Sequence, residues 1–361
     1  MLQNKTKQDD TYLDLESPLL DDDRERSSAV DVEDQPEETG EPFWLKLLSC
    51  VGGVFPIVRA NGKCYCNCAN IAWSIWPFVL LSLCSVVLVK NVVSLFHSLT
   101  LNTLSYGLVF TFLFVLPSTL SYTRKSFSEA ISGEEVYVNT LAKRGLILSV
   151  VGGSIYAGIF IGLGDIVGGI INLLYATSIC STISVVILRC IFLTHTQSSQ
   201  QNTLLELVQG ANVQSFQTKL LENCVLVEKA SAYLQAPLGV CFTLGTANLG
   251  MLCLLLYLGS AYSVLLNVTF IVALALVVFT PLWVLTRIDK QYMWTLRNLL
   301  CRNTAMLDTE HSRLLLAYDT IAPRASLFDV YITRGRVSTL AIAFVGALVP
   351  KLVNYLMTLK V

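Results

Sequence analysis

The chain has 361 residues, of which 53% are hydrophobic and only 14% charged, against about 25% charged in ordinary globular proteins. Fourteen of its 26 Asp and Glu fall in the first 41 residues beside only Lys5, Lys7, Arg24 and Arg26, a local formal charge of −10, while residues 42–361 hold 21 Lys and Arg against 12 acids. These proportions exclude a single soluble core, a secreted disulfide scaffold and a nucleic-acid binder working through a basic face.

Residues 1–41 lack the apolar content to fold alone and are expected to form a disordered, acidic cytosolic tail. Being polar, this start is not expected to act as a cleavable signal peptide. Tyr12-Leu13-Asp14-Leu15 has the Tyr-x-x-aliphatic form of a sorting signal, read at Tyr12 and Leu15, and Leu19-Leu20 follows acids as an imperfect dileucine signal. The competing reading is a merely solvated tail.

Residues 42–70 follow as a separate element. Phe43 to Val58 is mostly apolar but contains Gly52, Gly53 and Pro56, too short and interrupted to span a bilayer, so it predicts a helix and turn at the cytosolic interface. Cys64, Cys66 and Cys68 come next. A metal site wants a C-x-x-C type of pairing with further Cys or His ligands, and His97, His195 and His311 are all far away in sequence. No metal or cofactor is therefore expected, and the three cysteines read as palmitoylation sites or inert thiols.

A bilayer core of about 30 Å needs about 20 apolar helical residues, because lipid cannot pair with backbone groups. Seven stretches qualify, near residues 71–96, 104–122, 146–163, 166–193, 238–258, 262–285 and 337–357. The third and fourth, and the fifth and sixth, are separated by so few residues that each pair predicts a helical hairpin. Loops after spans two, four and six hold four, two and eight Lys and Arg, and loops after spans one, three and five hold none. The positive-inside rule then puts the N-terminus in the cytosol and the C-terminus outside. The expected fold is an all-α membrane protein, a seven-transmembrane helical bundle of the plasma or endosomal membrane. Asn267-Val268-Thr269 falls inside a span and Asn4-Lys5-Thr6 in the cytosolic tail, so neither sequon is expected to be used.

The loop from Thr194 to Pro237 is itself patterned: Leu204, Leu205, Leu207 and Val208, then Val213, Phe216, Leu220, Leu221 and Cys224, recur near helical spacing. Tyr292, Leu296, Leu299 and Leu300 do the same after span six, and Leu314 to Ile321 marks another helix. Spans four to seven are therefore expected to extend into the cytosol around a small apolar core, either a stabilising stalk or an oligomer contact. Ionisable groups in the spans are sparse: Lys90 and Arg189 are placed to snorkel from span ends, and Asp165 sits in a turn. Without a phosphate loop or paired intramembrane acids, no enzyme activity and no proton-coupled transport is expected. Lys351 stands about two turns from the end of the last span with Asn354 on the same face; it reads as an interface anchor or as a group beside an aqueous path.

Seven spans, a cytosolic N-terminus, a long loop after span four and an end just past span seven resemble the insect gustatory and odorant receptor superfamily. Leu47 to Ile57, LLSCVGGVFPI, is similar to the apolar-Gly-x-x-Pro segment those receptors carry before span one. Their C-terminal Thr-Tyr, five mostly apolar residues and Gln-Phe correspond here to Ala347-Leu348, Val349-Pro350-Lys351-Leu352-Val353 and Asn354-Tyr355. Ser326 to Ile332 resembles the Gly-x-Phe stretch leading into the last helix. The pattern looks like a divergent gustatory receptor-like protein of a non-insect animal lineage.

The resemblance implies a homo- or hetero-tetrameric, ligand-gated cation channel in membrane lipid, with span seven around the pore and a small organic ligand in the outer half of spans one to six. By this topology Tyr106, Phe110, Tyr156, Phe160, Asn172, Tyr175, Tyr257 and Tyr262 are the candidate ligand wall. One face of the last span runs through Leu340, Phe344, Ala347, Lys351 and Asn354, the candidate pore lining. A ring of four lysines would repel cations, so Lys351 points away, or conduction differs, or the chain does not conduct. A non-conducting seven-helix receptor or adaptor and a lipid or solute carrier stay open as the other classes.

Overall fold

The computed structural model describes residues 41–55, 59, 60, 63, 64, helical residues at 75–80, 82, 85, 86, 89 and 93, and 101–358 apart from 163–165, 210–212, 258–263, 304–315, 317, 320–323 and 329. The acidic tail with Tyr12, Leu15, Leu19 and Leu20 lies outside the described residues, as do Cys66, Cys68, Lys90, Asp165 and Tyr262. Residues 39–361 form one compact unit.

Helix α1 (Phe43–Val51) begins after Pro42 and stops at Gly52-Gly53. Gly53 takes φ 77°, a left-handed turn that a residue with a Cβ enters at a cost, and the Val54 amide closes back on the Ser49 carbonyl at 2.9 Å. The helix and its turn wedge among other helices. Leu45 and Leu48 are buried, the Trp44 amide donates to Asn139 Oδ1 at 2.9 Å, and Thr182 Oγ1 donates to the Gly52 carbonyl at 2.6 Å. A two-residue hairpin follows, β1 (Arg59–Ala60) with β2 (Lys63–Cys64); it places Cys64 in a strand.

The main bundle comprises α2 (Leu101–Tyr122), the short α3 (Arg124–Ala130), α4 (Glu135–Gly162), α5 (Ile166–Gln209), α6 (Val213–Tyr257) and α7 (Val264–Asn303). Helix α4 starts eleven residues before the apolar stretch that marks it in the sequence, because hydropathy marks the apolar part of a helix and not its polar first turns. Glu135 in that first turn suits the positive end of the helix dipole. Helices α5, α6 and α7 run without a break through the patterned segments. Among the described residues, three stretches are long and apolar enough to cross a membrane: Leu173–Leu207, Gln214–Tyr257 and Ile271–Asn298. The chain is thus a helical, membrane-associated protein.

Helices α4 and α5 make the most extensive pair, and α6 packs on α2, α5 and α7. A large core includes Leu116, Leu120, Phe127, Val186, Phe192, Leu238 and Ile288. A second, separate core near the α5–α6 connection holds Leu204, Phe216, Leu220, Tyr292 and Tyr318. A third, of Leu249, Leu252, Leu255 and Ile271, receives Phe344. The second hairpin, β3 (Ser326–Leu327) with β4 (Val330–Tyr331), leads into the last helix, α8 (Arg334–Thr358). Buried Leu327, Ile332 and Val337 fix the hairpin and the start of α8 in the main core.

Candidate functional site

The most elaborate polar site among the described residues is built on Arg189 in α5. The residue is only 1% exposed, which overturns the expectation that it snorkels. Nη1 donates to Thr123 Oγ1 at 2.6 Å and to the Tyr233 carbonyl at 2.7 Å, and Nη2 donates to the Leu120 carbonyl at 3.1 Å. These acceptors have a common cause. The Tyr233 carbonyl would ordinarily receive the amide of residue 237, which is Pro237 and has none. Leu120 lies in the last turn of α2, where carbonyls have no partner further along the helix. Arg189 thus replaces missing backbone donors on two helices at once, with its guanidinium 4.9 Å from the Phe127 ring centroid. Its Nε has no partner among the described residues.

One helix away, Arg124 is also buried and forms a two-pronged ion pair with Glu41, its Nε lying 2.8 and 3.0 Å from the carboxylate oxygens. Its Nη1 reaches the Val54 carbonyl at 3.3 Å. Burial pushes the nearby Cys50 thiol up, against the pull of Arg124, so it is protonated and a poor nucleophile. Among the described residues no group of three or more His, Cys, Asp and Glu comes together to hold a metal.

Of the candidate ligand wall, Tyr106, Phe110, Phe160 and Asn172 take helical positions on α2, α4 and α5, Tyr156 is half-buried on α4, and Tyr257 is exposed at the end of α6. Tyr175 lines a cavity with Phe112, Pro117, Ser178 and Thr182. That cavity has a volume of about 10 Å³, room for about one water, and the buried Ser178 hydroxyl beside it has no partner among the described residues. A second cavity of about 50 Å³ lies between Leu193, Ser231, Gln235, Leu285 and Arg324.

Of the candidate pore positions, Leu340 and Ala347 are exposed, and Phe344 turns onto α7, its ring 6.0 Å from Phe279. Lys351 and Asn354 are helical positions further along α8. Helix α8 packs chiefly on α7 and leaves Ile342 71% exposed, with Val345, Val349, Val353 and Met357 also exposed.

The small core is edged by polar groups that hydropathy alone does not reveal. Tyr292 and Tyr318 stack with ring centroids 5.5 Å apart, Tyr318 donates to Gln201 Oε1 at 2.9 Å, and Thr295 donates to the same oxygen at 3.1 Å. Tyr292 donates to Asp319, and Arg324 lies 3.9 Å from the Tyr292 ring centroid. Burial pushes the Tyr318 phenol up. Gln197 and Asn223 are wholly buried, and among the described residues neither end of either amide is paired.

Sequence reasoning missed Arg189's lock, although an Arg inside an apolar run beside a helix carrying Pro237 was a signal. It also missed Gly145, Ser149 and Gly153, a small residue every fourth position, which let α4 approach α5 closely. Compared with known proteins, the chain matches no family model, no curated protein and no solved structure.

Proposed function

We propose that the chain is a gustatory receptor-like chemoreceptor of seven membrane-spanning helices that assembles as a tetramer and works as a ligand-gated cation channel, with α8 lining a shared pore. The supporting observation is the state of α8. It is fixed at its start by Leu327, Ile332 and Val337, touches its own bundle chiefly through Phe344 and α7, and exposes apolar side chains along most of its length. A peripheral helix anchored at one end suits a central conduit built from several copies, and its apolar face suits gating by dewetting. In this reading the α5–α7 extensions lie in the cytosol, and the small core steadies the assembly.

Whole-cell recording from cells expressing the full chain, challenged with a panel of sugars and other small organic compounds, tests the proposal. A cation current that Asn354→Leu reduces and whose reversal potential Lys351→Glu shifts is the expected result. A surface-expressed chain that carries no current under any compound sinks the channel reading. The non-conducting receptor reading draws on the cavity beside Tyr175, which is far smaller than the roughly 300–1,000 Å³ of an organic-ligand pocket. A C-terminal tag detected only after permeabilisation would reject the orientation that both readings share.

A further inference from the structure

Val264 through Thr286 contains no charged residue, and Arg287 is the first charge after that run. At this border α7 exposes Trp283, Arg287 and Lys290, spaced four and three apart and therefore on one face. The same face continues to Trp294 and Arg297, also exposed. The start of α8 comes alongside: Arg334 sits 5.7 Å from the Trp283 ring centroid, and Arg336 donates from Nη1 to the Tyr331 carbonyl at 3.0 Å. Both arginines are exposed, and the first turn of α8 contains no acid. Asp289, the one acid on this stretch of α7, lies off the ridge and is half-buried.

This arrangement is not what helix stability asks for. Cations in the first turn of a helix oppose its dipole, so Arg334 and Arg336 weaken the start of α8 unless something negative faces them. We propose that Trp283, Arg287 and Lys290 of α7, together with Arg334 and Arg336 of α8, form a docking surface for the phosphate headgroups of anionic phospholipids. Charge complementarity selects an anion. The position of the patch selects a lipid, because it lies where an uncharged helical run ends and it mixes tryptophan with cations, the composition of a membrane border. From Trp283 to Lys290 the ridge is about 10 Å long, the scale of a headgroup layer. A second copy meeting this face symmetrically would bring cation against cation. The inference needs α7 to be in a membrane and does not need the chain to conduct.

The test uses the full chain in micelles of an uncharged detergent, titrated with dioctanoyl phosphatidylserine, dioctanoyl phosphatidylcholine or glycerophosphoserine, with binding followed by tryptophan fluorescence. The serine lipid is expected to bind at least about tenfold more tightly than the choline lipid, and more weakly as salt rises. Arg287→Gln with Lys290→Gln, and Arg334→Gln with Arg336→Gln, should each weaken it by about tenfold or more, since each surface cation near an anionic lipid contributes about fivefold. All four side chains are exposed, so helicity and gel-filtration behaviour should match the unaltered chain. Equal affinity for the choline lipid, or unchanged affinity in both folded double variants, overturns the proposal. Glycerophosphoserine binding as tightly as the lipid overturns it in favour of a free anion. Lipid binding that appears only after removal of residues 1–40 overturns it in favour of the chain's own acidic segment.

Discussion

Arg189 and Pro237 make one unit, which yields a prediction about their coupling. Replacing Arg189 by Leu leaves the buried Tyr233 carbonyl without a donor. The Thr123 hydroxyl keeps its bond to the Thr119 carbonyl at 2.8 Å, and the Leu120 carbonyl keeps only a long contact from Thr123 Oγ1 at 3.4 Å. An unpaired buried group costs about 1–3 kcal/mol. Reported interhelical polar contacts in membranes are weaker, near 0.6 kcal/mol on average, so a net loss of about 2 kcal/mol is expected, seen as a lower Tm of the detergent-solubilised chain. Pro237→Ala restores an amide that can bond the Tyr233 carbonyl within α6. The double variant should therefore lose less stability than the two single losses added, and strictly additive losses would reject the lock. Arg189→Lys should behave more like Leu than like Arg, because an ammonium lacks the planar fork that meets α2 and α6 together. Phe328 is a second residue in a demanding place: its φ of 51° puts a bulky side chain in the left-handed region, at a cost of about 1–2 kcal/mol. The ring lies over Gly239, where an added Cβ would come within 3.3 Å of it.

At the scale of elements, close approach of α4 and α5 depends on what is missing from their side chains. A Cβ at Gly153 would stand 3.0 Å from the Thr177 amide nitrogen and 3.2 Å from its Cα, and backbone cannot move aside as a side-chain tip can. Ser149 Oγ meets Ser184 Oγ at 3.1 Å one turn away. Gly153→Val should push the helices apart and lower the Tm more than Gly158→Val, since among the described residues a Cβ at Gly158 meets nothing within 4 Å. Equal effects at the two glycines would show that the pair is not held by this contact. The apolar runs made the helices legible in the sequence, and the leucine spacing after span four made the continuous α5 and α6 legible too. The polar half-turns and both hairpins were not, since two-residue strands carry no periodicity and the polar start of α4 has no hydropathy signal. The role of Arg189 was hidden for another reason: its partners are backbone carbonyls, which every residue has and no side-chain pattern marks.

For the whole molecule, the proposed assembly makes a size prediction. The purified chain in mild detergent should run as four copies by mass photometry or light scattering, and Ile342→Glu, which puts a charge on the most exposed apolar position of α8 quoted above, should shift it toward single copies. A monomer in the unaltered protein would remove the shared pore. The coarse class, a helical membrane-associated protein, was readable from composition because lipid imposes a long apolar run on any helix that crosses it. The candidate ligand and pore residues were chosen from the resemblance and the topology, and side-chain direction within a bundle, such as the turn of Phe344 onto α7, depends on neighbours far away in sequence.

The lengths of α5 and α6 carry one more consequence. At 44 and 45 residues each measures about 66 Å, more than twice a hydrocarbon thickness of about 30 Å. Beyond the Arg189 and Pro237 junction each therefore carries an arm of some 30 Å, which ends in the small tyrosine core. A tilt of about 5° at that junction sweeps the far tip through about 3 Å, comparable to half a helical turn. Motion too slight to open a cavity among the apolar helices would arrive at the other end as a displacement large enough to change which side chains meet.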